Sequence, residues 1–342
     1  MRLTSSLLIF YLLLLNFPAS LNRQKNFEME SDRRQFLKKA GLAFASGLAL
    51  NTPGVFSLPV KTNSPIKEFG IQLWSVREEM TKNPKGVLKD LASYGYKQIE
   101  SFGDGPPEAM FWGMGSLNFK NYLNSIGLDL VSAHCDSDYT LNPKRSDEFK
   151  RLADDAAKIN MKYLINPFMI QLKTIDAFKQ AAEGFNKQGE ICKQAGLKFA
   201  YHNHNYSFRK IGELFPQDVM MQNTDPSLVD FEIDIYWVVD AGQDPIYWLN
   251  KYPNRFRLCH IKDHYQDAIT ADLVKKEKPE EPELGLNVSC DLGKGKIDFA
   301  KILKAASAAG VRYFLVEQER YDGTTSMESA KNNAEYMKRL NI

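Results

Sequence analysis

The sequence predicts a single (β/α)8 (TIM) barrel, and three observations carry that expectation. From about Phe69 onward one unit recurs: an amphipathic helix, a Gly, four to six mostly apolar residues, then a polar residue capable of chemistry. The apolar runs are continuous rather than alternating, as in parallel strands covered by helices on both faces. Most of these runs lie roughly thirty residues apart, the length of one βα unit, and eight units make about 270 residues, a usual barrel size.

The clearest copies are Leu91–Gly95 leading into Tyr96–Glu100, Tyr122–Gly127 into Leu128–His134, Ala181–Gly196 into Leu197–His202, and Phe299–Gly310 into Val311–Glu317. A Gly just past the last helical residue supplies the left-handed cap that ends a helix. Filling the gaps gives eight predicted strands: Gly70–Trp74, Gln98–Ser101, Leu128–His134, Tyr163–Pro167, Lys198–His204, Val229–Ile235, Phe256–Lys262 and Tyr313–Glu317. A doubly wound open sheet would carry a glycine-rich phosphate loop after its first strand. Leu73-Trp74-Ser75-Val76-Arg77 has no such loop. The one long gap, His264–Cys290, holds a charged run from Lys275 to Glu283 and reads as a surface insertion after the seventh strand, first as a plain solvated loop and alternatively as one that overhangs the mouth.

The chain has 342 residues, 44% of them apolar, and a formal net charge of +2. So small a charge offers no general attraction for nucleic acid or acidic membranes, and neither is an expected partner. Cys135, Cys192, Cys259 and Cys290 are scattered with no paired spacing, which argues against a zinc knuckle or a disulfide framework. Residues 1–60 read as an export signal rather than as part of the barrel, which is expected over 61–342. Leu7–Leu15 is apolar but short for a bilayer. Arg33-Arg34-Gln35-Phe36-Leu37-Lys38, followed by the apolar Ala40–Leu50, resembles a twin-arginine signal and predicts a periplasmic enzyme with no stable membrane span when mature. Met29, just upstream, is the expected true start.

All five histidines fall at or just beyond predicted strand ends: His134, His202, His204, His260 and His264. Carboxylates join them at equivalent positions, Asp234 ending the sixth strand and Glu317 the eighth. In this fold the C-terminal strand ends converge on the active site. Two imidazoles and two carboxylates make a mixed N/O set suited to one divalent ion such as Mn²⁺, Co²⁺, Zn²⁺ or Fe²⁺ better than to Mg²⁺. Glu100 and His134, at the ends of strands two and three, are candidates for binding substrate hydroxyls. Trp74 and Trp237 are candidates for stacking a sugar ring.

At these residues the sequence resembles the xylose isomerase-like barrels, the superfamily of sugar isomerases and epimerases, inosose dehydratase and endonuclease IV. The motifs that carry the resemblance are Gly70-Ile71-Gln72-Leu73-Trp74-Ser75-Val76-Arg77, Tyr201-His202-Asn203-His204, Asp234 in Ile233-Asp234-Ile235-Tyr236-Trp237, His260-Ile261-Lys262-Asp263 and Val316-Glu317-Gln318-Glu319. The resemblance implies one divalent metal held by Glu, Asp, His and Glu from strands five to eight. Asp234, His260 and Glu317 match the last three; His202, or His204, stands where the first Glu is found. The epimerases use both glutamates as acid/base groups, so losing one of them weighs against a symmetric two-base epimerisation and gives weight to isomerisation, or to lyase or hydrolase chemistry on a 3-keto-glycoside.

The expected substrate is a small carbohydrate, and the expected reaction removes a proton α to its carbonyl in an isomerase- or epimerase-type step. Glu317 or an imidazole at His202 or His204 is the candidate base. Lys262, on the same strand face as His260, is placed to polarise the carbonyl or, alternatively, to form a structural ion pair with Asp263. A non-catalytic sugar-binding barrel is the remaining alternative, and a phosphodiesterase like endonuclease IV is disfavoured by too few histidines and by the lack of a basic face.

Overall fold

In the computed structural model the described residues are 66, 68–103, 107–280, 282 and 284–340. The signal-like region predicted over 1–60 lies outside them. Eight parallel strands close into a barrel: β1 (Gly70–Gln72), β2 (Gln98–Phe102), β3 (Asp129–His134), β4 (Tyr163–Asn166), β5 (Lys198–His202), β6 (Val229–Asp234), β7 (Phe256–Ile261) and, last, β10 (Tyr313–Val316), which pairs with β1. Between β7 and β10, β8 (Asp263–His264) and β9 (Ser289–Cys290) form a separate antiparallel pair.

Local sequence explains the units. The helices Pro84–Tyr94, Ile175–Ala195 and Phe299–Ala309 stop at Gly95, Gly196 and Gly310, whose φ values of 109°, 88° and 105° are left-handed. A side chain there would strain the backbone. Their starts are equally legible: Asn83, Thr174 and Asp298 each accept a hydrogen bond from a free first-turn N–H. Pro84, Pro216 and Pro245 occupy helix starts, where a missing N–H costs nothing.

The period-two alternation of strands separates two cores. One residue set from each strand packs outward against the helices and makes the large apolar core, with Ile99, Phe199, Phe231, Cys259 and Val316 among its members. The alternate set points inward, where Tyr163, Ile165, Ala200, Leu258 and Leu315 form a small apolar plug. Two residues further along the same faces the chemistry changes. Ala200 is followed by His202, Leu258 by His260 and Leu315 by Glu317, so the plug floors a polar chamber at the C-terminal mouth.

Several strands stop earlier than the sequence predicts. β1 ends at Gln72 because its side chain accepts from Trp74 N at 3.0 Å and turns Leu73–Val76 into a 3-10 helix. β5 ends at His202, and β6 ends where Asp234 Oδ1 caps the next helix by accepting from Trp237 N. The insertion after β7 contains an exposed helix, Asp267–Lys276, and returns by Leu284–Val288, which packs on Tyr236 and Trp237 at the mouth. Arg320 ties it down through Glu277 at 2.8 and 2.9 Å. Among the described residues no helix is long and apolar enough to cross a membrane.

Candidate metal centre at the barrel mouth

His202, Asp234, His260 and Glu317 each offer one ligand atom, and all four atoms lie within 4.8 Å of one another. Their separations include 3.6 Å between His202 Nε2 and Asp234 Oδ2, and 3.4 Å between His260 Nδ1 and Glu317 Oε2. Every member is buried. Three of the four atoms, His202 Nε2, Asp234 Oδ2 and His260 Nδ1, have no hydrogen-bond partner. Leaving one such buried atom without a hydrogen bond costs about 1–3 kcal/mol, and three facing each other are a set that one bound cation would satisfy together. A mixed N2O2 set of this kind fits a divalent transition metal.

The remaining atoms of these side chains are used to aim them. Pro167 O lies 3.3 Å from His202 Nδ1, which turns Nε2 toward the set. Asp234 is held by its helix cap at Oδ1 and by Asn203, whose side chain accepts from Asp234 N at 3.1 Å and donates to Asp234 O at 3.3 Å.

Lys262 is fully buried and completes the chamber. Its Nζ lies 3.0 Å from Glu317 Oε2, 3.1 Å from Glu319 Oε1 and 3.5 Å from Asp234 Oδ2. The rings of Tyr236 and Trp237 flank it at 5.0 and 4.8 Å. Burial opposes charge on Lys262, but Glu317 first and then Glu319 hold its ammonium well above the usual lysine range. Burial likewise opposes charge on Glu317, yet Lys262 and then His260 hold its carboxyl well below the usual range. Asp263 faces elsewhere: its carboxylate accepts from the backbone N–H groups of His264, Gly293, Gly295 and Ile297. The ion-pair partner of Lys262 is therefore the site and not Asp263.

His204 lies just past β5, with its ring 5.0 Å from His202 and 5.1 Å from Trp237. Its Nδ1 is buried without a partner. Burial, and then His202 and Lys262, push the imidazole well below its usual value, which holds the ring neutral.

Four of the five histidines converge, with ring separations from 4.7 to 5.5 Å. His264 does not join them; it stacks on Tyr236 and its Nδ1 contacts Tyr265 O. Glu100 and His134 sit in a layer beneath the ligand set. Glu100 is fully buried with both carboxylate oxygens occupied by protein donors. His134 Nε2 lies 2.9 Å from Glu100 and 3.1 Å from Glu232. Burial opposes charge on His134, but Glu100 and then Glu232 raise it to about 9. Trp237 roofs Lys262 in the chamber, whereas Trp74 lies at the rim against Phe102 at 5.0 Å, with Arg77 over its ring.

Two residues that sequence reasoning passed over belong here. Glu232 falls inside the predicted sixth strand, two residues before Asp234, and so shares its inward face. Glu319, quoted only as part of a motif, contacts Lys262 by the same period from Glu317 and also accepts from Asn287 of the insertion.

Residues 88–340 match the family model described as the xylose isomerase-like TIM barrel. The chain belongs to that family. Among curated relatives, an inosose dehydratase of Clostridium beijerinckii is 31% identical over 164 residues, 46% of this chain and 49% of that protein. The chain thus spans about half the length of the curated relatives it matches first. An inosose dehydratase of Geobacillus kaustophilus is 25% identical over 279 residues, covering 74% of this chain and 86% of its own. A solved sugar phosphate isomerase/epimerase from Parabacteroides distasonis is 27% identical, with a TM-score of 0.67, covering 86% of this chain and 100% of the other. The Escherichia coli 3-keto-D-glucoside 4-epimerase shares the fold alone, at 12% identity and a TM-score of 0.53, over 79% of this chain and 98% of that one.

Proposed function

We propose that this chain is a divalent-metal-dependent enzyme that removes a proton α to the carbonyl of a small keto-sugar, in an isomerase- or epimerase-type reaction. The observation that carries the reading is the trio of buried, unpartnered ligand atoms on His202, Asp234 and His260 beside Glu317. These four residues would hold the ion. When bound, it supplies Lewis acidity that offsets negative charge developing on substrate oxygen.

The chain's own groups supply the rest. Glu317, an anion at the edge of the set, is placed to take the α-proton; His204, with an unpartnered Nδ1 just past β5, is the second candidate acceptor, with β6 and β7 between it and β10. Lys262 faces the same carboxylates with a permanent positive charge and is placed to stabilise a substrate oxyanion. Trp237, together with Leu284 and Val288 of the insertion, walls the chamber and keeps water from it.

A second reading is β-elimination from a keto-sugar or inosose. It is favoured by one residue: His202 stands where the epimerases have a second glutamate, so the two faces of a bound sugar meet unlike groups. The inosose dehydratases among the relatives are consistent with that chemistry.

The test combines metal content with hydrogen exchange. The purified wild type is expected to carry about one equivalent of Mn²⁺, Co²⁺ or Zn²⁺ after reconstitution, and both His260→Ala and Glu317→Ala to lose it. Incubated in D2O with inososes and 3-keto-glucosides, the loaded enzyme is expected to exchange the α-hydrogen, with a dehydrated product identifying the lyase reading. A wild type that takes up no metal and exchanges no hydrogen would leave a sugar-binding barrel instead.

A further inference from the structure

Beneath the ligand set, a second layer of hydrogen bonds decides which nitrogen of His260 faces the mouth. Glu100 is its centre. One of its oxygens, Oε1, is reached by three N–H donors: Gln72 Nε2 at 2.8 Å, His260 Nε2 at 2.7 Å and His134 Nε2 at 2.9 Å. The other, Oε2, accepts from Ser132 Oγ at 2.6 Å. These partners come from β1, β3 and β7, and the register that sets Gln72 opposite Glu100 is that of the barrel itself.

A neutral imidazole has one N–H and one lone pair. The nitrogen that binds a metal is set by the hydrogen bond that the other one makes. With its proton on Nε2 and directed at Glu100, His260 presents a lone pair at Nδ1. That atom is the one without a partner, 3.4 Å from Glu317 Oε2 and 3.9 Å from Asp234 Oδ2. We infer that Glu100 is the positioning residue of the metal centre: it fixes the Nε2–H tautomer of His260 and thereby commits Nδ1 to the ion. This rests on the metal-dependent reading above and gives Glu100 a role that does not involve touching substrate.

A competing occupant has to be weighed. Glu100, His134, Glu232 and His260 also bring four ligand-capable atoms within 4.8 Å of one another. Two features favour protons over a second ion there. Each contact in that ring pairs an imidazole nitrogen with a carboxylate oxygen, at 2.7–3.3 Å, so N–H groups can bridge it. An ion bound at His260 Nε2 would also move the ring proton to Nδ1 and disable the upper set, where three ligand atoms lack a partner against one, Glu232 Oε1, in the lower ring. The two quartets share His260, and an imidazole that keeps a proton on one nitrogen has a single lone pair to give to one of them.

The test uses Co²⁺ and Mn²⁺ alone, with no substrate. Glu100→Gln keeps the volume and an acceptor but removes the charge, and is expected to weaken metal affinity about 10–100-fold, the usual cost of losing an outer carboxylate on a liganding histidine. Glu232→Gln, whose contact with His260 Nε2 is longer at 3.3 Å, is expected to weaken it less. Binding in Glu100→Gln within threefold of wild type overturns the inference while leaving the metal-dependent reading intact; a wild type that binds no metal removes both. Should Glu100→Gln fail to fold, the wild type decides the matter. In Cd²⁺-loaded protein with ¹⁵N-labelled histidine, long-range ¹H–¹⁵N spectra should show His260 protonated at Nε2 and bound through Nδ1. The reverse assignment, or a second equivalent of metal that disappears in Glu232→Gln, sinks the proposal.

Discussion

Replacing Lys262 by Met is expected to lower the melting temperature of the metal-free protein by about 6–10 °C, because removing one partner of a buried ionic cluster costs roughly 3–5 kcal/mol and a domain of this size loses about 2 °C per kcal/mol. The side chain is fully buried and is the one ammonium facing three carboxylates, on Asp234, Glu317 and Glu319. Methionine retains most of the apolar stem that lies between Tyr236 and Trp237, so lost packing is a minor part of the change. What it deletes is the charge, and the three carboxylates then repel one another without water to screen them.

The same reasoning predicts an inversion on metal loading. In the wild type, a divalent ion joins a site already partly neutralised by Lys262. In Lys262→Met it would be the main positive charge near those carboxylates, so Mn²⁺ should raise the melting temperature more in the variant than in the wild type. Thermal unfolding of both proteins with chelator and with Mn²⁺ checks this directly. Equal melting temperatures in chelator would mean that the carboxylates do not depend on Lys262. Turnover should not recover with the metal, since the oxyanion partner on the substrate side is gone.

The barrel was legible because its signals are local and repeated. Gly95, Gly196 and Gly310 end helices by conformation, and the apolar runs after them are too continuous for a one-sided sheet. The convergence of the candidate ligands is legible for a related reason: His202, Asp234, His260 and Glu317 each stand at or near the end of such a run. What the sequence hid depends on which neighbours the closed barrel supplies. Glu100 reads as a strand-end carboxylate open to the mouth, but Gln72, Ser132 and two histidines come to it from adjacent strands and enclose it. Lys262 stands next to Asp263 in sequence, yet consecutive strand residues point to opposite sides, and its partners come from β6 and the end of β10. Strand ends were read one or two residues too far, because side-chain caps such as Gln72 on Trp74 N leave no mark in apolar periodicity.

Asp263 is the residue whose loss should damage the fold most without touching the ligand set. Its carboxylate accepts four backbone N–H bonds, from His264 at 2.8 Å, Gly293 at 2.9 Å, Gly295 at 3.0 Å and Ile297 at 3.2 Å. Three of those donors lie some thirty residues on, so one side chain fastens the returning end of the insertion to the end of β7. Asp263→Ala removes the shared acceptor of all four N–H groups, those of His264 and Ile297 in buried residues, and hydrogen bonds to charged acceptors contribute about 1.5–3 kcal/mol each. They share one acceptor and are not additive, so a net loss of about 4 kcal/mol is expected. Gly295 shows how close the fit is: a Cβ there would come within 2.1 Å of Asp263 Oδ1 and 2.4 Å of His264 O. Gly295→Ala should therefore destabilise by about 1–3 kcal/mol through overpacking, and in the double variant the two losses should fall short of their sum because both break the same contact. Chemical denaturation of the two single variants and the double variant measures that coupling. Fully additive losses would show that Gly295 and Asp263 act independently. A coupled loss would show that the Asp263 carboxylate and the Gly295 backbone act as one staple between the end of β7 and the chain returning from the insertion.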